Sequence, residues 1–116
     1  MFTGFLVRGD VVPKLLSVVV EAAGVTLWPF IFVRWSSVGD ESLLRHERIH
    51  ICQYNELFVV GFLFIYAYDW FCGLLKYRDA REAYRMIRFE QEAREFEGVS
   101  GYIALRESYS WTKYRV

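Results

Sequence analysis

Leu57 to Leu75 is a run of nineteen residues in which Asp69 is the only charge. At ~1.5 Å per residue a straight helix of that length covers a ~30 Å hydrocarbon layer, so the run is either a membrane span or the core of something small. What stands on either side of it decides. Before the run, apolar and polar residues recur at three- and four-residue steps: Leu43, Leu44, His46, Glu47, His50, Tyr54, Leu57 and Phe58. That pattern predicts a helix capped by Asp40 or Ser42. After the run, residues 79 to 97 return to a charge-rich helical pattern, which Gly98 to Gly101 stop.

The first of these helices carries His46-Glu47-Arg48-Ile49-His50. Histidines at i and i+4 share a helix face one turn apart, so both imidazoles reach one tetrahedral Zn²⁺ while Glu47 flanks the water bound there. In a site of this kind the metal lowers the pKa of its water from 15.7 to about 7, and the carboxylate takes the proton as a polarised carbonyl is attacked. Glu47 is thus the candidate general base, later returning the proton to the leaving amine. A chance match on an exposed helix is the alternative. Against it stands the fact that the only two histidines of the chain both fall inside the motif.

A catalytic zinc takes three protein ligands and keeps a fourth position open. With no third histidine, the ligand is a carboxylate, or less simply Cys52 or Cys72. On the helix 79 to 97, Ala80, Ala83, Met86, Ile87 and Ala93 cluster at 100° per residue, with Glu90 near the middle of that face and Glu92 pointing the opposite way. A carboxylate centred on an apolar face is costly unless paired or bound to metal, which singles out Glu90. A salt bridge to Arg94 is the plainer explanation of the same residue. Glu97 shares the face and is the second candidate, as ligand or as support.

The run His46 to His50, followed by Arg88-Phe89-Glu90-Gln91-Glu92-Ala93, resembles the gluzincin metallopeptidases. In the CAAX prenyl protease family and its bacterial relatives the third ligand is the first glutamate of a Glu-x-x-Ala-Asp segment, which implies Glu90 here. Arg94 stands where that family has Asp, so support for the histidines falls to Asp69, Asp79 or Glu97. The segments Thr26 to Arg34, His46 to His50 and Tyr84 to Ala93 also resemble a group of small zincin-like proteins, a likeness that spans residues 25 to 97 and brings no known substrate.

These ligands constrain the apolar run. A straight crossing puts the histidines and Glu90 on opposite sides of a bilayer, and even in a soluble fold a rod from Ser42 to Leu75 carries the chain roughly 37 Å beyond His50 while residues 79 to 90 return about 17 Å. The chain must bend. Gly61 is the expected hinge and Asp69-Trp70 the next, giving a folded-back, buried helical hairpin. Peripheral membrane contact through Phe58 to Trp70 is the remaining alternative to a span.

Upstream, Phe5 to Val12 reads as extended, Pro13 opens a short helix over 14 to 23, and Gly24 ends it. Val25 to Arg34, rich in aromatic and β-branched residues, is the strongest strand, and Pro29 places it at a sheet edge or in a bulge. An extended substrate pairs with such an edge, which makes Trp28, Phe30 and Phe32 candidate substrate-binding residues. Tyr84, Tyr109 and Arg81 are candidates to stabilise the oxyanion.

At 116 residues the chain forms one domain, 1–116, burying about 65% of its unfolded surface. Its 54% hydrophobic and 19% aromatic content supplies the dense core this requires and leaves apolar surface for self-association. Fourteen basic and fourteen acidic side chains cancel, which with the lack of any recognition motif argues against nucleic acid. Cys52 and Cys72 lie in apolar sequence outside any CxxC pair and read as free thiols. Without a charged head and small-residue cleavage site at the start, a cytoplasmic location is expected, with the membrane reached peripherally. The sequence therefore predicts an α+β, mostly helical, zincin-like domain: a short N-terminal sheet with an edge strand, the motif helix, a hairpin and a third helix bearing a Glu ligand. Its expected function is that of a zinc metallopeptidase acting on a peptide or protein; a small interaction protein with a vestigial or structural metal site is the alternative.

Overall fold

The computed structural model describes residues 4–9, 24–33 and 39–116. The helix expected over 14 to 23 lies outside them, as do Asp10 to Val12. The fold is mixed α+β and mostly helical, as its patterning predicts. Strands β1 (Phe5–Arg8), β2 (Gly24–Leu27) and β3 (Phe30–Val33) form a sheet ordered β1-β3-β2, with β3 parallel to β1 and antiparallel to β2.

The segment expected as one strand over 25 to 34 is thus a hairpin. The chain reverses at the cis Trp28-Pro29 peptide, so Pro29 sits in the turn and owes the ladder no N–H. No Gly or Asn marks this reversal, and the β-rich pattern therefore reads as continuous. β3 is central, not an edge; Ile31 and Val33 turn toward the next helix, while Phe30 and Phe32 alternate onto the other face beside Phe5.

Helix α1 (Glu41–Leu57) starts where the Asp40 side chain accepts from Leu43 N at 3.1 Å. One side of it packs Leu43, Leu44 and Ile51 on the sheet. The other sends Tyr54 onto Phe62, ring centroids 3.7 Å apart, and Phe62 stacks in turn on Phe89 at 4.4 Å. At the end of α1 the axis bends by 115° into α2 (Val60–Tyr77). The bend lies at Phe58 and Val59, both at positive φ (54° and 53°), not at Gly61. Gly61 falls inside the first turn of α2, where a Cβ would sit 3.3 Å from Leu57 Cβ. A β-branched residue at positive φ is strained, and nothing in the local sequence advertises it.

Asp69-Trp70 is no hinge either, since α2 runs unbroken through it. The second reversal comes at Arg78 and Asp79, after which Asp79 caps α3 (Ala80–Arg85) by accepting from Arg81 N and Glu82 N. The fold-back is therefore between α2 and α3, and from Val60 onward the apolar run is a single helix. Gly73 permits the contact: a Cβ there would meet Ala83 Cα at 2.9 Å. Only one side of α2 is buried, the stripe of Phe62, Asp69 and Gly73. Among the described residues no single helix is long and apolar enough to cross a membrane.

The helix expected over 79 to 97 breaks at Met86 and Ile87, the latter extended at ψ 131°, and resumes as α4 (Arg88–Phe96). Ile87 offers no side-chain cap. Asp69 supplies one from α2: its buried carboxylate accepts from Arg88 N at 3.2 Å and from Arg88 Nε and Nη2 at 2.9 Å each. Asp69 therefore fixes where α4 begins. The tail returns as α5 (Tyr102–Leu105) and a 3₁₀ turn, Ser110–Lys113, whose Trp111 packs edge-on to Phe89.

Candidate metal centre

Helix α1 supplies His46 and His50, and α4, started by Asp69, supplies Glu90 two residues inside its N-terminus. Their centres converge. His46 Nε2 lies 3.0 Å from Glu90 Oε1 and His50 Nε2 lies 3.1 Å from Glu90 Oε2, with the two imidazole centroids 4.9 Å apart. One donor atom from each of the three residues can be chosen so that all lie within 4.8 Å of one another. Atoms held ~2.0–2.2 Å from a tetrahedral ion stand roughly 3.3–3.6 Å apart, so the set needs only a small contraction to hold one.

Each imidazole is also held from behind. His46 Nδ1 meets Glu97 Oε2 at 2.8 Å, and His50 Nδ1 meets Gln53 Oε1 at 2.7 Å. Both rings therefore present Nε2 to Glu90. The His50 atom is buried and, despite its 3.1 Å approach to Glu90, makes no hydrogen bond, because the approach is poorly angled. A buried ring nitrogen left without a hydrogen bond fits a metal ligand.

Charge follows from this packing. Burial works against ionisation of Glu90, but His50 and His46 outweigh it and hold the carboxyl well below its usual range. Burial likewise opposes a charge on His46, yet hydrogen bonds to Glu90 and Glu97 raise its pKa to about 10. Glu47, fully enclosed, is pushed up by burial, with His50 and His46 pulling the other way. A base whose pKa is raised toward neutrality is suited to accept a proton from water.

Thr26 holds that base. Its hydroxyl lies 2.6 Å from Glu47 Oε2 and donates to it. Tyr66 from α2 donates to Glu90 Oε2 at 2.8 Å, and Tyr84 lies in the same field; burial and the negative charge of Glu90 raise both phenols, so they stay neutral.

Of the candidates read from sequence, His46, His50, Glu90, Glu47 and Tyr84 come together, and Glu97 takes the supporting position behind His46. Asp69 and Asp79 are helix caps, not partners of the histidines. Arg94 bonds the Arg85 carbonyl instead of Glu90. Glu92 is fully buried against Arg106, Tyr102 and Gln53. Tyr109 is engaged with Glu56 and Trp28 with Asn55, neither at the histidines. Arg81 is exposed on α3, and Phe30 and Phe32 occupy the sheet face away from α1. Neither cysteine is in a disulfide. Thr26, Gln53 and Tyr66 were not anticipated. Gln53 alone left a signal, a polar side chain one turn beyond His50 on the same helix face.

No family model, curated protein or solved structure matches the chain. The chemistry must be argued from the site.

Proposed function

We propose that this chain is a zinc-dependent metallopeptidase of gluzincin type, with His46, His50 and Glu90 as metal ligands and Glu47 as general base. The observation that carries this is the convergence of Nε2 of both histidines on the Glu90 carboxylate, with Glu47 buried beside them. The donor set fits zinc, since two imidazoles and one carboxylate leave a fourth tetrahedral position open. Zinc bound there supplies a water acidified to about pKa 7 and polarisation of the scissile carbonyl. Glu47, oriented by Thr26, takes the proton of the attacking water and returns it to the leaving amine. Tyr66 donates to Glu90 and would hold that carboxylate in place, while Tyr84 is the candidate donor to the charge that develops on the carbonyl oxygen.

Both sides of β3 are paired, whereas β1 and β2 each have no described strand on their outer side; β2, beside α1, is the edge an extended substrate would join next to the metal centre. The test is metal content with hydrolysis of a quenched peptide library. Wild type should hold one zinc per chain, His46→Ala should lose it, and Glu47→Gln should keep zinc while losing at least 100-fold in rate. Hydrolysis that survives Glu47→Gln removes Glu47 from its role.

One observation favours a second reading, an interaction protein with a structural metal. The outer side of α2 displays Val60, Phe64, Tyr68, Phe71 and Leu75 to solvent, with Phe58 87% and Phe64 74% exposed. Under that reading the zinc remains and Glu47→Gln changes nothing measurable.

A further inference from the structure

We infer that Gln53 is a positioning residue that fixes His50 as a metal ligand through Nε2, and that the C-terminal segment holds Gln53 in that orientation through Arg106 and Glu92. This rests on the metal centre proposed above and adds what selects its coordinating atom.

A neutral imidazole can carry its proton on either nitrogen, and a side-chain amide can face either way. Here the surroundings decide both. The Gln53 Nε2 amide donates to Phe89 O at 3.1 Å and to Glu92 Oε1 at 3.0 Å. Both partners are acceptors. The Glu92 carboxylate takes donors from Arg106 Nε at 2.6 Å, Arg106 Nη2 at 3.1 Å and the Tyr102 hydroxyl at 2.8 Å. A flipped amide would turn its own oxygen toward two oxygens. The amide is therefore locked, and its Oε1 faces His50 Nδ1 at 2.7 Å.

An acceptor at Nδ1 places the proton there and leaves the lone pair on Nε2, the buried atom without a hydrogen bond that looks onto Glu90. Arg106 is itself anchored on its other side by both oxygens of Glu56, at 2.9 and 3.0 Å. The relay thus runs from Glu56 on α1, across the tail, to α4, and back to α1 at His50. The two histidines differ in consequence: a carboxylate backs His46 and a neutral amide backs His50.

The experiment uses the full chain. Zinc affinity is measured by competition with a chromophoric chelator for wild type and Gln53→Leu, and long-range ¹H–¹⁵N spectra of the zinc-loaded wild type report the protonated nitrogen of His50. We expect zinc on Nε2, a slowly exchanging Nδ1 proton, and about a 10- to 100-fold loss of affinity in Gln53→Leu with far-UV circular dichroism retained. Zinc on Nδ1, or a folded Gln53→Leu with wild-type affinity, overturns the inference. Should Gln53→Leu not fold, the wild-type spectrum decides by itself. A wild type that binds zinc but cleaves nothing sinks the peptidase reading and leaves this one standing; a wild type that binds no zinc sinks both.

Discussion

The two sides of α2 are built from similar residues and do opposite things. Its inner side sets Phe62 between Tyr54 and Phe89, brings the Tyr66 hydroxyl to Glu90, and uses Asp69 to start the helix that carries the third ligand. Its outer side, 180° around the same helix, carries Phe64, Tyr68 and Phe71, each more than half exposed. A helix apolar all round is ordinarily enclosed on all sides. Here enclosure is half complete: the inner stripe is packed around the site, and among the described residues the outer stripe stays exposed.

If that division is right, the largest loss comes from Asp69. Asp69→Ala leaves Arg88 without its partner and α4 without its cap, and breaking a buried pair costs ~3–5 kcal/mol. The lower end applies because the Arg88 side chain is 27% exposed. A fall of about 3 kcal/mol corresponds to a drop on the order of 10 °C in melting temperature. Zinc affinity should fall with it, because Glu90 sits on the first turn that Asp69 fixes. Thermal melting with and without zinc checks both. Next comes Gly73→Val, which has no room beside Ala83 Cα and should cost ~1–3 kcal/mol by overpacking. A Gly73→Val protein that melts like wild type would mean that the inner side is not the packed one.

How far these roles could be read from sequence depends on whether their cause is local. The histidine pair needs only the helical period, and it is visible. Glu90 is legible from the helical period although the helix breaks at Ile87, because Ile87, Glu90 and Ala93 keep three-residue spacing across the part that faces the histidines. The turns at Trp28-Pro29 and Phe58-Val59 were not visible, since neither contains glycine. The Asp69–Arg88 pair leaves no local signal, because it joins residues nineteen positions apart in different helices. Nor can periodicity divide the two sides of α2, because an all-apolar helix has no polar face to count from.

The same division shows in pH, since the charges near the site lie inside and the outer stripe carries none. In zinc-free protein, Glu90, depressed by the histidines, contributes stability above pH 4.5 that is lost as pH falls. His46, raised to about 10, contributes stability that is fully present below pH 6.5 and lost as pH rises toward 10. Glu47, pushed up by burial, also favours lower pH. The cluster is therefore most stabilising between about pH 4.5 and 6.5, and urea unfolding of the chelator-treated protein should show stability declining on the alkaline side. Zinc competes with the His46 proton, so its affinity should rise with pH over the interval from 6.5 to 10, with protons released on binding. Stability that stays flat over that interval would detach His46 from Glu90.

The smallest expected effect on folding is the sharpest test of the outer stripe. Phe64→Ser with Phe71→Ser removes two exposed rings without touching a described partner, so stability should change by no more than about 0.5 kcal/mol at each position. Exposed apolar patches of this breadth mark binding surfaces, and a helix with one wet apolar side can lie in the headgroup boundary of a bilayer. Flotation with phosphatidylglycerol-containing vesicles, and sedimentation without them, should show wild type bound or self-associated and the double variant neither. If instead the double variant unfolds, the outer side is packed as firmly as the inner one, and the contrast between the two faces is lost.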